Sequence, residues 1–321
     1  SNWPGYIKIK IMLKTNDQFK NKTYLVYGYG KTGSTTYKYL KKNNKVFIFD
    51  DNKKNISNKL LKTQFIKKSK IKKKIFDFIV ISPGIDINKS SLKFYLKKYK
   101  EKIITDLDIF YLKNLNNLKI TITGTNGKST TSKLLFEILK KHKKDVRLLG
   151  NIGKPILSEK NITNKTIFVI EASSYQLEYS KFFKSDYSLI LNLSPDHLER
   201  HGNFKKYIKA KFKLIKNQSK NNYAFIEKKN YLLNNLIKKN KINSKIYRVN
   251  YAKYQKYYKL ITNDYFRNVS NFKNLSFIFA VSQNFKLSLK KIVNVANKFK
   301  QLNFRQQIIY QSKKLIIIND S

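Results

Sequence analysis

The chain has 321 residues, 41% of them apolar, and a formal net charge of +49 from 68 basic and 19 acidic residues. That length accommodates two or three domains with a sizeable core. With no cysteine there are no disulfides and no thiolate metal sites, as suits a cytoplasmic protein, and no stretch approaches the roughly 20 apolar residues of a membrane span. The positive charge invites a nucleic-acid reading, yet only five basic residues are Arg, the side chain that base and phosphate recognition favours. The lysines are scattered among Asn, Ile, Tyr and Phe, so they read as solvated surface, and no nucleic-acid partner is expected.

Thr23 to Tyr27 reads as a strand. Gly28-Tyr29-Gly30-Lys31-Thr32-Gly33 follows, then a helix through Tyr39 and Leu40, and a second strand from Lys45 to Phe49 that ends at Asp50-Asp51. This is the dinucleotide pattern, in which a pyrophosphate rests on the helix N-terminus and a ribose hydroxyl meets a carboxylate. NAD or FAD satisfies it, and a UDP-sugar does so equally well. The next strand, Phe76 to Ile81, runs into Ser82-Pro83-Gly84, a turn at the ligand-binding edge of such a sheet.

Residues 105 to 118 lead out of this first unit. β-Branched residues at 120 to 123 favour a strand, and Gly124-Thr125-Asn126-Gly127-Lys128-Ser129-Thr130 follows. A helix then places Leu134, Leu135, Ile138 and Leu139 on one face. Strand, glycine turn and helix start together make an anion cradle, because backbone N–H groups and the helix dipole point at one place. Lys128 would reach the β/γ-phosphates and the Ser129 hydroxyl would help hold Mg²⁺. The spacing is G-x-x-G-K-S, shorter than G-x-x-x-x-G-K-[ST], whose first glycine would fall on Ile122. ATP is the expected ligand.

Gly150-Asn151-Ile152-Gly153 is a turn suited to close ligand approach. The strand Thr166 to Ile170 ends at Glu171, where a nucleotide-bound Mg²⁺ needs an oxygen ligand. A strand from Ser188 to Leu193 leads to Asp196-His197-Leu198-Glu199-Arg200-His201. That spacing is not H-E-x-x-H, so His197 is read as a ligand for Mg²⁺-linked groups or substrate and not for zinc. The helix Phe204 to Lys216 contains Lys211, which no physical feature of the sequence singles out. Residues 220 to 270 are poorly patterned. Further helices are expected from Asn268 to Phe279, with Asn271 and Asn274 on one side, and from Val293 to Phe299. Phe304-Arg305 precedes a last strand, Leu315 to Ile318, and the chain stops at Asn319-Asp320-Ser321.

Assembled, these motifs resemble the Mur ligase family, over about residues 22 to 321. The likeness rests on residues 124–130, on Gly-Asn-Ile-Gly at 150–153 and on Glu-Ala-Ser-Ser-Tyr-Gln-Leu-Glu at 171–178. It extends to Asp196-His197, Tyr207-Ile208-Lys209-Ala210-Lys211, Phe304-Arg305 and Ile318-Asn319-Asp320-Ser321. Ser129 and Ser-Ser-Tyr-Gln-Leu-Glu favour the D-glutamate-adding members. The resemblance implies an α/β chain with a Rossmann-like UDP-substrate domain at 1–106, a P-loop-type central ATPase domain at 107–301, and at 302–321 the first strand of a third, amino-acid-binding α/β domain. It implies a monomer that joins D-glutamate to UDP-N-acetylmuramoyl-L-alanine at the cost of ATP, through an acyl phosphate, in the cytoplasmic assembly of peptidoglycan precursors.

Carried over by motif, Gly124, Thr125, Asn126, Gly127, Lys128, Ser129 and Thr130 would cradle the ATP phosphates. Asn271, Asn274, Arg305 and Asp320 would frame the nucleotide. Gly30, Lys31, Thr32, Asp50, Ser82, Pro83 and Gly84 would hold the UDP portion of the substrate, and Asn151, Ser173 and Gln176 would face its muramoyl-alanine portion. Ser129 and Glu171 would bind a first Mg²⁺. His197 and Lys211 would bind a second, the lysine as its carbamate, since a protonated ammonium cannot hold a cation. Lys128, Glu171, His197 and Lys211 are thus the expected catalytic residues. Ser270 departs from the family by standing where a His usually precedes the first Asn. Most of the third domain is expected to lie beyond residue 321, so this chain alone is expected to bind its substrates without ligating them. The competing readings are a dinucleotide-dependent oxidoreductase built on Gly28 to Gly33, which leaves the second phosphate loop unexplained, and another Mur-type amide ligase.

Overall fold

The computed structural model describes residues 19–52, 64–300, 302, 307–311 and 316–319. Contacts divide the chain into two compact units, and each takes several segments. The first comprises Ser1–Asn116, Lys154–Ile162 and Ser174–Lys184; the second comprises Asn117–Gly153, Thr163–Ser173 and Ser185–Ser321.

In the first unit β1 (Thr23–Tyr27), β2 (Lys45–Phe49), β3 (Phe78–Ile81) and β4 (Ile103–Ile104) form a parallel sheet of order β2-β1-β3-β4. The two central strands are buried on both faces, which is why they read as continuous apolar runs. Leu25, Ile79, Ile81, Ile71, Phe76 and Leu96 belong to the core over them. β3 starts at Phe78, two residues later than the apolar run suggests. Asp77 exchanges bonds with Thr23, taking its N–H on Oδ2 at 2.8 Å and giving its own N–H to the Thr23 carbonyl at 2.9 Å, so ladder pairing begins only beyond it.

The helix Asp106–Lys113 opens with a capping box between Thr105 and Asp108. Asp106 beside it is buried, and desolvation raises its pKa to about 6. The folded state therefore favours the protonated acid. This group's full stability is present below the unfolded value of 3.8 and is lost as pH rises through about 6. Asp106→Asn, which keeps the Oδ1 acceptor used by the Leu107 N–H, is expected to stabilise the chain by about 2 kcal/mol near neutral pH and by nothing below about pH 3.5. Thermal melts at the two pH values check this; a gain equal at both would refute it.

The second unit holds a parallel sheet of order β10-β9-β8-β5-β7-β6. Its strands are β5 (Leu118–Thr123), β6 (Val146–Gly150), β7 (Ile167–Glu171), β8 (Tyr187–Ile190), β9 (Tyr223–Glu227) and β10 (Lys245–Val249). β5 lies between β7 and β8, so the loop that follows it leaves from the middle of the sheet. The helix Lys128–Lys141 buries Leu134, Leu135, Ile138 and Leu139 as its periodicity suggests, and Phe204–Lys216 is a helix over the expected span. The unpatterned stretch 220 to 270 supplies β9, β10 and the helix Tyr231–Lys239. β10 is an edge strand with only Val249 buried, so its sequence carries no core signal. Aromatic contacts hold it instead, Tyr247 stacking on Phe225 at 5.1 Å.

β8 stops at Ile190, short of the expected Leu193. Its partner β5 ends at Thr123, and residues 191 to 194 turn to meet the loop beyond it. The helix expected from Asn268 runs over Val269–Asn284 with Asn268 as its cap, and the next over Leu289–Lys298. The last strand, β12 (Ile316–Asn319), pairs antiparallel with β11 (Gln307–Gln311), a strand that the sequence reading did not predict. Arg305 and Asp320 lie outside the described residues. Among the described residues no helix is long and apolar enough to cross a membrane.

Candidate active site

Gly124 and Gly127 adopt φ of +155° and +79°, backbone that only glycine takes without strain. Gly127 caps the helix Lys128–Lys141 and brings no side chain to its first turn. The opening N–H groups of a helix have no acceptor within it, so those of Ser129 and Thr130 are available to an anion. The loop between the glycines is held from outside. Thr125 Oγ1 accepts the Ser194 N–H at 3.0 Å and lies 2.9 Å from the Tyr207 hydroxyl. The Thr125 N–H donates to the Asn192 carbonyl at 3.0 Å, and the Asn126 N–H to Asn192 Oδ1 at 2.8 Å. Lys128 Nζ donates to the Thr125 carbonyl at 2.6 Å.

Glu171 ends β7 with Ile122 of β5 on one side and Gly150 of β6 on the other. It is fully buried. Asn151 Nδ2 donates to its Oε1 at 3.0 Å, while Oε2 has no hydrogen-bond partner. A buried carboxylate oxygen left without a donor is costly unless a cation meets it, so the site fits Mg²⁺ with Glu171 as a ligand. Gly150 is required here: a Cβ on it would fall 2.2 Å from the Glu171 carbonyl oxygen.

Lys211 is 2% exposed. Its Nζ donates to the Gly124 carbonyl at 2.8 Å and to Thr123 Oγ1 at 3.4 Å, and lies 4.7 Å from the Tyr207 ring centre. Burial first, then the Lys128 ammonium, bring its pKa down to about 7, while Asp196 and Glu171 oppose the fall. Lys211 is therefore within electrostatic reach of both Lys128 and Glu171. His197 sits at φ +52° and is half exposed, with Asp196 Oδ2 3.4 Å from Nε2 and Glu199 Oε1 3.9 Å from Nδ1. Among the described residues no three or more His, Cys, Asp or Glu form a metal-binding group.

A crevice beside the loop is lined by Thr130, Thr131, Tyr265, Phe266, Asn271 and Asn274. Tyr265 ties its walls together: its hydroxyl lies 3.0 Å from Thr130 Oγ1, and its carbonyl accepts Asn271 Nδ2 at 2.8 Å. Asn274 packs where a Cβ on Gly127 would fall, 2.1 Å from its Nδ2. Ser270 is exposed, its N–H capped by Asn268. Sequence reasoning missed Asn192 and Tyr265. The one available signal was a lone Asn inside the apolar run 189 to 193, which strand periodicity overrode.

In the first unit Gly30 caps the helix Lys31–Leu40 without a side-chain bond, leaving that N-terminus open beside exposed Lys31 and half-buried Thr32. Ser82 braces the glycine turn, its hydroxyl donating to the Gly28 carbonyl at 2.8 Å. Asp50 accepts the N–H of Tyr29 at 2.7 Å and of Asn52 at 2.8 Å, so its carboxylate shapes the turn. Pro83 is half-buried and Gly84 exposed. Gln176 is buried on the helix Ser174–Tyr179 of this unit, whereas Ser173, half-buried, closes a segment of the second unit.

Residues 122–300 match the family model described as the Mur ligase middle domain. The UDP-N-acetylmuramoylalanine–D-glutamate ligase of Rickettsia bellii is 32% identical over 320 residues, covering 92% of this chain and 70% of that one. The protein of the same name from Elusimicrobium minutum is 41% identical over 224 residues, covering 66% of this chain and 49% of that one. Among solved structures, UDP-N-acetylmuramate:L-alanyl-gamma-D-glutamyl-meso-diaminopimelate ligase from Neisseria meningitides has the same fold, with a TM-score of 0.57 at 12% identity over 88% of this chain and 99% of that one. A glycine loop at the centre of a parallel sheet, a buried carboxylate on the neighbouring strand and a buried lysine behind the loop thus occur in a sequence that matches this family through both units, and the chain belongs to the Mur ligases.

Proposed function

We propose that the chain is an ATP-dependent carboxylate–amine ligase that adds D-glutamate to UDP-N-acetylmuramoyl-L-alanine, a cytoplasmic step in building peptidoglycan precursors for cell-wall growth and division. The reading is carried by its 32% identity, over 92% of its length, to a ligase named for that reaction. A hydride-transfer reading of Gly28 to Gly33 falls with the family assignment, and the same helix N-terminus is assigned to the substrate's UDP. The functional division into 1–106, 107–301 and 302–321, and action as a monomer, belong to the same proposal.

The L-alanine carboxylate of the substrate attacks the γ-phosphorus of ATP, ADP leaves, and an acyl phosphate remains. The amine of D-glutamate attacks that carbonyl, loses a proton, and expels phosphate to leave the amide. The N–H groups at the start of Lys128–Lys141 and the Lys128 ammonium bind the phosphates and hold them in line. Asn271 and Asn274 would frame the nucleotide. Ser129 Oγ and Glu171 Oε2 would hold one Mg²⁺, and His197 with a carbamate on Lys211 a second. Such ions, when bound, neutralise charge on the transferring phosphoryl group. The depressed pKa of Lys211 supplies the neutral amine that carbamate formation requires.

ATP-dependent phosphate release by the full-length protein with UDP-N-acetylmuramoyl-L-alanine is expected with D-glutamate and not with L-lysine or glycine. Release that is the same with each amine would overturn the assignment.

A further inference from the structure

Asn192 makes three hydrogen bonds to the phosphate loop. Besides taking the Thr125 N–H on its carbonyl, it pairs its side-chain amide with both polar groups of one peptide residue. Oδ1 accepts the Asn126 N–H at 2.8 Å, and Nδ2 donates to the Asn126 carbonyl at 3.0 Å. The same Nδ2 reaches Asn274 Oδ1 at 3.4 Å. Asn126 itself is exposed and lies between two glycines of positive φ. Without that pairing its peptide would be solvated, and glycine-flanked backbone turns at little cost. The loop would then sample orientations in which the following N–H groups no longer converge.

We propose that Asn192 is a positioning residue for the nucleotide phosphates. It acts as a surrogate β-strand partner for Asn126, and through Asn274 it sets the loop together with the helix Val269–Asn284. The proposal rests on the reading of this loop as the ATP site. It differs from a purely structural role in one respect: its loss selectively weakens nucleotide binding at this loop and leaves UDP binding elsewhere intact.

The test is titration of the chain and its variants with ADP and, separately, with UDP, alongside amide hydrogen exchange of the parent protein. Asn192→Ala is expected to weaken ADP binding about tenfold or more, with UDP affinity kept within about twofold. Asn192→Ser removes the amide pairing with Asn126 without adding a charge; it is expected to weaken ADP by a similar factor, and it decides the matter if the alanine variant does not fold. In the parent, the exposed Asn126 N–H is expected to exchange far more slowly than a free peptide. ADP affinity within about twofold of the parent in the folded variants, equal losses for ADP and UDP, or fast exchange at Asn126 each overturn the proposal. Failure of the parent to bind ADP overturns the ligase reading and takes this proposal with it.

Discussion

Exchange of Glu171 for glutamine is expected to lower the ligation rate by about a thousandfold or more while leaving the fold and UDP affinity intact. The side chain is fully buried at the junction of three strands, and glutamine fills the same volume. Its amide can keep the bond from Asn151 through an oxygen, so little packing energy is at stake. What disappears is the negative charge on Oε2, the oxygen for which the protein provides no donor. If a cation belongs there, the loss falls on phosphoryl transfer, where charge on the γ-phosphate must be neutralised. The measurement is phosphate release by the full-length protein at saturating substrates, with a melting curve as control. A variant within about tenfold of the parent, at unchanged melting temperature, would mean that Glu171 is a structural acid and the first cation site lies elsewhere.

The second large effect concerns stability. Asp108 Oδ1 accepts the Ser180 hydroxyl at 2.8 Å and the N–H groups of Lys181, Phe182 and Phe183 at 2.9, 2.7 and 3.0 Å. Its Oδ2 takes the Thr105 N–H at 2.9 Å and hydroxyl at 3.0 Å. Removal of a carboxylate bound by this many donors strands several of them at once. Each buried donor left without a partner costs about 1–3 kcal/mol, so Asp108→Ala is expected to destabilise by about 4 kcal/mol, a fall of about 10 °C in melting temperature. Asp108→Asn, which can keep the Oδ1 acceptor, should lose less than half of that. A melting temperature for the alanine variant within about 2 °C of the parent would show that residues 180–183 hold their path without it.

Asp108 also marks how far local sequence reaches. Thr105-x-x-Asp108 is a capping pattern, and the helix it caps does begin there. Nothing local says that the free oxygen of the cap will gather a segment more than 70 positions away. The same contrast runs through the site. The strand into Gly124, the glycines and the helix after Lys128 were legible because each depends on φ preference and periodicity within a few residues. Asn192 was not, because its role is set by where β8 stops, and that depends on the length of its partner β5.

The lysines show the division most plainly. Sequence by itself determined the α/β order, the two glycine turns at helix starts, the central strand and its helix, and the family likeness that drew Lys211 out of the crowd. It could not say on physical grounds which of the 68 basic side chains leaves water. Only the tertiary structure decided that Lys211, with its pKa brought to about 7, lies behind the loop, and that Lys119, brought to about 8 by burial, is buried at the start of β5, the strand that leads into that loop. The reason is that an ammonium's charge depends on the solvent and neighbours around it. For Lys211 those neighbours are Gly124, Lys128, Glu171, Asp196 and Tyr207, most of them distant in the chain and assembled only by the sheet.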